Sequence, residues 1–374
     1  MINIVIDARL YGPKHTGLGR YTKNLLIALK NLPDFNKYHF TLLVYPELSA
    51  EIKNDLGDSF TYISTNLRHY SLQEQLLLPF LLKSLKPDLV HFTHLDKPLF
   101  YFGKSVVTVH DLIRHFSKGS QTSTKNPLLY WPKYWGYLLM THFIFATSFI
   151  IVPSNFWRDY IIKKYCFLPT KIITTYEAVD PQFLQKSSGL SNLKSDVSNY
   201  LVYTGNLYPH KNIDVVLKAL PKLPQIKLKI ICARSVFTRR IAKLIKSLHL
   251  EKQVEFLGYL PDQKFTQLYQ QAIALVHPSF LEGFSLTGLE AMALNCPVIA
   301  ANSSCLPEIY GQSVLYFNPY NPEDLIKQIN LLQKSPTLRN KLLKLGHQQV
   351  KKYSWTKTAI ETLNFYQKIL HEKS

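Results

Sequence analysis

Short apolar runs alternate with longer stretches of helical periodicity along most of the chain. Asn3–Ile6, Phe40–Val44, Leu89–Phe92 and Val106–Val109 are short, mostly apolar runs of strand length. Between the first two, Tyr21, Leu25, Ala28, Leu29 and Leu32 fall at i, i+4, i+7, i+8 and i+11, which is one face of a helix over 21–32. Runs that do not alternate in polarity, separated by helices, predict a parallel sheet covered on both sides. The pattern restarts near residue 200. Tyr200–Tyr203, Ile226–Cys232, Val254–Leu257, Ile273–Val276, Val298–Ala300 and Val314–Phe317 read as strands, and Ile213–Leu220 opens a helix. Gln185–Ser198, rich in Ser, Asn and Lys, reads as the linker. The expectation is an α/β chain of two doubly wound domains with a cleft between them, ligands lying beyond the carboxyl ends of the strands.

Tyr134–Val152 is apolar and about as long as a membrane span. Thr141, His142, Thr147 and Ser148 interrupt it and Pro153–Ser154 closes it, so a helix followed by a buried strand, Phe149–Val152, is the expectation. Met1–Ile6 meets Asp7 and Arg9 at once and is not read as a signal peptide.

Composition adds limits rather than an identity. A chain of 374 residues, 46% hydrophobic and 18% charged, suits two globular domains. Cys166, Cys232, Cys296 and Cys305 make no C-x-x-C pair, which suggests reduced thiols in the cytoplasm. The formal charge of +19 fits an anionic surface, but no nucleic-acid-binding signature accompanies it, and no nucleic-acid partner is expected. There is no G-x-G-x-x-G and no P-loop, which argues against a dinucleotide dehydrogenase and a P-loop ATPase.

Four segments carry candidate chemistry. Glu282 and Glu290 are separated by seven residues, in a turn and helix (Leu286–Leu294) that follow a strand. Gly283 permits a tight turn and Ser285 is a candidate N-cap. No acid lies between Phe284 and Leu289, so the amides of Phe284, Ser285 and Leu286 at the helix head suit an incoming anion. The bland alternative is a strand–turn–helix with two surface glutamates. In Tyr203–Asn212 a glycine turn leads to Lys211, a compact charge for a leaving diphosphate. In Asp7–Tyr21, Gly17 and Gly19 would let backbone approach a bound group just before the helix. In Val106–Leu112 an apolar strand ends in His110–Asp111.

Together these segments resemble glycosyltransferase family 4, whose fold is GT-B: two Rossmann-like domains facing a central cleft. The run E-G-F-S-L-T-G-L-E-A-M-A over Glu282–Ala293 is similar to that family's hallmark. The resemblance implies that Glu282 meets sugar hydroxyls of the donor and Glu290 the ribose hydroxyls. It also gives the Phe284–Leu286 amides and Lys211 to the diphosphate, Gly17 and Gly19 to a segment closing over the phosphates, and His110 to the donor sugar, with Asp111 as a possible orienter. His91 and His94 are weaker candidates for the acceptor side. Two departures stand out. Asn206 and His210 occupy positions where many members carry Arg, so one of the two expected cations is missing or weakened; protonated His210, Arg20 and Arg234 are the candidate replacements. Glu177-Ala178 stands where Asn-Gly is common. Smaller matches run through Ile151–Phe156, Lys171–Asp180 and Tyr353–Trp355, the last followed by a terminal helix over Thr358–Leu370.

The resulting expectation is a retaining, metal-independent hexosyltransferase with no cofactor. The acceptor-side domain is 1–185, with 357–374 packing back on it, and the donor domain is 186–356. Partners are a nucleotide sugar and a glycan or lipid-linked acceptor of bacterial surface-polysaccharide assembly. GDP-mannose is the first choice of donor; UDP-linked glucose, galactose or N-acetylglucosamine is the alternative. Acceptor recognition is expected in loops such as Tyr62–Ser71 and His115–Asn126. The location is cytoplasmic, with peripheral, salt-sensitive association with anionic lipid through Lys and Arg of the first domain. A noncatalytic basic binding protein is the reading of a different class, and a sugar-nucleotide epimerase a third. Neither accounts for the paired glutamates and Lys211 as well as a glycosyltransferase does.

Overall fold

The computed structural model describes residues 1–119, 126–188, 197–232, 236–258 and 260–372. The chain forms two compact units. The first holds Met1–Leu112, Asn126–Glu177 and the segment from Ser354 onward; the second holds Ala178–Tyr353 and the segment that begins at Ile113.

The first unit is built on a seven-stranded sheet. Its strands are β1 (Ile2–Asp7), β2 (Tyr38–Val44), β3 (Thr61–Ser64), β4 (Leu89–Phe92), β5 (Ser105–Thr108), β6 (Phe149–Val152) and β7 (Ile172–Thr174). All pairs are parallel, in the order β3-β2-β1-β4-β5-β6-β7. The runs do not alternate in polarity because both faces of the sheet are covered: β4 and β5 are buried at every residue. Right-handed crossovers set which helix covers which face. Passing from β1 to β2 to β3 puts Thr16–Lys30 and Ser49–Leu56 on one side, where the terminal helix Trp355–His371 also packs on Thr16–Lys30. The return from β3 to β4 reverses direction, so Leu72–Ser84 lies on the opposite side, together with Pro127–Thr147 and Asn155–Tyr165.

The second unit repeats the plan with β8 (Tyr200–Thr204), β9 (Lys227–Ile231), β10 (Val254–Phe256), β11 (Ala274–His277), β12 (Val298–Ala301) and β13 (Leu315–Phe317). The order is β10-β9-β8-β11-β12-β13, again parallel. In each sheet the strand order reverses once, beside β1 and β4 and beside β8 and β11, which is where doubly wound folds bind ligands.

Several expectations change. The helix expected over 21–32 begins at Thr16, so Gly17 and Gly19 lie inside its first turns rather than in a loop before it. A Cβ on Gly19 would sit 2.0 Å from the Gly12 carbonyl oxygen, whereas one on Gly17 would meet nothing within 4 Å. Tyr62 belongs to the edge strand β3 and not to a loop. Of the expected linker, 185–188 end the helix Pro181–Ser188, and 189–196 lie outside the described residues, as do 120–125 of the His115–Asn126 loop. The apolar 134–152 stretch is the end of the helix Pro127–Thr147 followed by β6. Among the described residues no helix is long and apolar enough to cross a membrane.

Candidate functional site

In the second unit, two loops leave the sheet at the strand-order reversal and are tied together. The loop after β8 turns at Gly205 (φ 143°) and passes through the short 3-10 turn Pro209–Lys211 into the helix Ile213–Ala219. Asn212, left-handed at φ 52°, donates its side-chain amide to the carbonyls of Pro278 (3.1 Å) and Pro319 (2.8 Å). The Phe280 amide donates to the His210 carbonyl at 2.8 Å. These bonds hold the backbone of Lys211 opposite the loop that carries Glu282.

Lys211 Nζ then reaches both Glu282 oxygens, at 2.7 and 2.8 Å. His277, the last residue of β11, brings Nε2 to 3.0 Å from Glu282 Oε1 and to 3.0 Å from Ser285 Oγ. Burial raises the Glu282 carboxyl's pKa, but the Lys211 charge and the His277 bond outweigh it and hold the group well below the usual carboxylate range. Glu282 and Glu290 are each only 6% exposed, which removes the reading of two surface glutamates.

Ser285 stands at the N-cap position of Leu286–Ala293, but its side chain makes no capping bond. The left-handed backbone of this turn falls on Ser285 (φ 79°, ψ 72°) rather than on Gly283. Tyr310 supports the strain: its hydroxyl lies 3.0 Å from the Ser285 carbonyl and 2.8 Å from Ser285 Oγ, and accepts from the Gly288 amide at 3.1 Å. Gly288 is required for that approach, since a Cβ there would lie 2.3 Å from the Tyr310 ring. Phe284 anchors the turn by packing edge-on against Tyr353 at 5.3 Å. With Ser285 turned to His277 and no acid in the first turn, the helix head lacks a side-chain cap.

His210 does not supply the second cation. Burial, reinforced by Lys211, pushes its imidazole down to about 4, so the ring is neutral near pH 7. It stacks on Tyr208 at 5.7 Å. Arg234 lies outside the described residues, and Arg20 belongs to the first unit's Thr16–Lys30 helix.

In the first unit, His110 stands two residues beyond β5 with both ring nitrogens engaged. Nε2 donates to the Thr93 carbonyl at 2.9 Å, and Nδ1 lies 3.1 Å from Glu177 Oε1. The orienting carboxylate is therefore Glu177 rather than the adjacent Asp111. Burial lowers the imidazole's pKa, but the Glu177 bond and charge more than compensate, so it is raised. The ring also meets Tyr21 edge-on at 4.6 Å.

His91 is a core residue, not an acceptor group. It is fully buried between Thr108 Oγ1 (2.8 Å) and the Tyr366 hydroxyl of the terminal helix, and burial pushes it down to about 3. Asp7 and Arg9 form a buried bidentate pair at 2.8 and 2.6 Å, and Arg9 also meets Glu74 at 2.6 Å. Beside them His69 Nδ1 lies 2.8 Å from Asp96 Oδ2. His69, His94 and Asp96 offer ligand atoms within 4.8 Å of one another, the one such set among the described residues. The sequence reading placed no metal ligand there, and the set belongs to the unit that does not carry Lys211 and Glu282.

Sequence reasoning missed His277, although its place at a strand end five residues before Glu282 was a usable signal. It also missed Glu177 as a partner of His110.

Comparison with known proteins identifies the family. Residues 15–183 match the model described as Glycosyltransferase Family 4, and residues 190–349 match Glycosyl transferases group 1. O-antigen chain mannosyltransferase B of Escherichia coli is 29% identical over 59% of this chain and 61% of its own length. O-antigen chain mannosyltransferase RfbU of Salmonella typhimurium is 26% identical over 89% of this chain and 92% of its own. Sucrose-phosphate synthase from Thermosynechococcus elongatus superposes with a TM-score of 0.73 over the full length of both chains, at 17% identity, which shows a shared GT-B fold. With both units matched, each carrying the elements described above, the chain belongs to the family 4 glycosyltransferases.

Proposed function

We propose that this glycosyltransferase moves a mannosyl group from GDP-mannose to a hydroxyl of a glycan or lipid-linked acceptor in surface-polysaccharide assembly, with retention at the anomeric carbon. The observation that supports a diphosphate-leaving reaction is the Lys211–Glu282–His277–Ser285 chain beside an uncapped helix head. The choice of mannose rests on the named activities of the two O-antigen relatives.

The donor diphosphate would lie between the Leu286–Ala293 helix head and Lys211, with Glu290 on the ribose hydroxyls. Lys211 is already held by Glu282 in a bidentate ion pair. On donor binding the ammonium is shared with the diphosphate, and Glu282 becomes free to accept from sugar hydroxyls. As the bond from C1 to the diphosphate breaks, negative charge grows on the leaving oxygen, where a fixed cation and helix amides act most strongly. The acceptor oxygen bonds to C1 on the same face, and its proton passes to the departing phosphate. His110 is assigned to the donor sugar by the family resemblance alone, since Glu177 and Thr93 already engage both of its nitrogens. No divalent metal is assigned to this chemistry.

The test is a panel of nucleotide sugars screened by thermal shift, followed by transfer assays and proton NMR of the product. GDP-mannose should raise the melting temperature most and give an α-linked product. Stabilisation by a UDP-sugar alone would move the donor assignment to glucose, galactose or N-acetylglucosamine, and a β-linked product would end the retaining assignment. Transfer should persist in excess chelator. Complete loss, restored by magnesium or manganese, would refute metal independence.

A further inference from the structure

Exposed apolar side chains are concentrated on one side of the first unit. On Leu72–Ser84, Glu74, Leu78 and Leu82 face the core, while Leu72, Leu76 and Phe80 face solvent, Leu72 at 82% exposure. On Pro127–Thr147, Tyr130, Tyr137 and Ile144 are buried, while Leu128, Trp131, Trp135 and Leu139 recur at three- and four-residue spacing on the outside. A helix on a soluble surface normally turns charge outward. These two turn outward only one lysine each, Lys83 and Lys133: Glu74 is the sole acid of the first and is buried against Arg9, and the second contains none.

The crossover geometry puts both helices on the same side of the sheet, and the loop after β4 joins them. It exposes Phe100 and Phe102, and the Phe102 ring meets Phe143 of Pro127–Thr147 at 5.9 Å. An open groove of about 760 Å³ separates Leu76, Pro79 and Phe80 from 100–103, with Lys83 and Lys86 in its wall. Lys133 is exposed on the second helix. In the second unit, Val236, Phe256, Tyr320 and Leu331 are exposed singly on separate elements. Scattered apolar residues need no explanation, whereas a continuous face does.

We propose that this face docks on an anionic lipid bilayer. The leucines and phenylalanines enter the acyl boundary, Trp131 and Trp135 sit at headgroup depth, and Lys83, Lys86 and Lys133 meet anionic headgroups. A second copy of the chain fits this face less well. A two-fold contact would oppose a surface bearing lysines and no acid with itself, burying like charges without partners. The sequence-based expectation was of electrostatic attachment; the apolar face adds a contribution that salt does not screen. The inference does not depend on the donor assignment, so vesicle binding and transferase activity can fail separately.

The test is flotation of the full chain with neutral vesicles and with vesicles containing phosphatidylglycerol, at low and high salt. Anionic vesicles should capture the protein, and a fraction should stay bound at high salt. The double variant Phe80→Ser/Phe102→Ser, and separately Trp131→Ser/Trp135→Ser, should each reduce high-salt binding by roughly tenfold or more. Lys83→Gln/Lys86→Gln should lower binding chiefly at low salt. All six side chains are exposed, and unchanged circular dichroism and donor-induced thermal shifts would verify the fold. Absence of flotation, flotation that the apolar variants leave unchanged, or a dimer in light scattering that those variants dissociate would each overturn the proposal.

Discussion

Each unit ends a central strand region on a histidine that meets a buried glutamate, and the two pairs are built differently. His277 closes β11 and bonds Glu282 five residues on, inside one strand–turn–helix. His110 stands beyond β5 and bonds Glu177, sixty-seven residues away. In the second unit Glu282 is also clamped by Lys211, so the charge that dominates is a carboxylate held ionised. In the first, the group whose ionisation is altered is the imidazole, raised by Glu177. A local pair brings its geometry with its spacing, whereas a distant pair exists only once the sheet has assembled.

The harshest way to break this comparison is to remove Lys211. Lys211→Ala should lower turnover by about 10²–10³, since a stabiliser of growing charge is lost. It also leaves Glu282 buried without its cation, at a cost of up to about 3 kcal/mol, softened because the Lys211 side chain is 20% exposed. Lys211→Ala/Glu282→Gln should recover much of the melting temperature without recovering turnover. A single variant with near-normal turnover would remove Lys211 from the phosphate role.

Glu290 sharpens the same comparison from the side of binding. It lies in the second turn of Leu286–Ala293, and ribose hydroxyls do not change charge in the reaction. Glu290→Ala should therefore weaken donor binding by about 10–100-fold, the worth of a hydrogen bond to a charged group, and appear in KM. A fall in kcat at unchanged KM would contradict that division.

Glu177 offers the corresponding test in the first unit, with a smaller expected effect of roughly 1 kcal/mol. The folded pKa of His110 is raised above its unfolded value, near 6.5, so the pair's stabilisation is full below about pH 6.5. It is lost as pH rises through the folded value. The melting-temperature gap between the wild type and Glu177→Gln should accordingly be widest in mild acid and shrink on the alkaline side. A gap that is constant with pH would mean that Glu177 does not act through the His110 charge.

The same contrast explains what could be read in the sequence. Both sheets were legible because strands such as β4, β8 and β11 are mostly apolar runs that do not alternate in polarity. β3 was missed because its Thr-Tyr-Ile-Ser run is a partly exposed edge, and β7, at the opposite edge, because only Ile172 and Ile173 are apolar before Thr174 and Thr175. The start of Thr16–Lys30 was missed because Thr-Gly-Leu-Gly reads as a loop until Gly19 is seen packed on Gly12. Lys211, Glu282 and Glu290 stood out because their chemistry is compressed into two local segments. His210 was misjudged because a sequence does not show burial. Glu177 was noticed as a departure from the family pattern, but its partner could not be named. The contacts of Arg9 with Glu74 and of His69 with Asp96 were equally out of reach.

The smallest expected effect concerns the two glycines of the first helix. Gly19 is demanded by the fold, since its Cβ would collide with the Gly12 carbonyl, but Gly17 has open space around it. Its φ is not in the left-handed region, so alanine fits the backbone there. Gly17→Ala removes conformational freedom from the unfolded chain and improves helix propensity, which should stabilise the first unit by about 0.4–1 kcal/mol. A rise in melting temperature of a few degrees would register it. The family resemblance gives Gly17 a second reason to exist, as a place where backbone closes on the donor phosphates. If that is its role, the more stable variant should bind the donor a few-fold less tightly, because the added methyl occupies the approach. Stability and donor KM should then move in opposite directions. A variant that gains stability while its donor KM stays at the wild-type value would show that Gly17 is not part of the donor site.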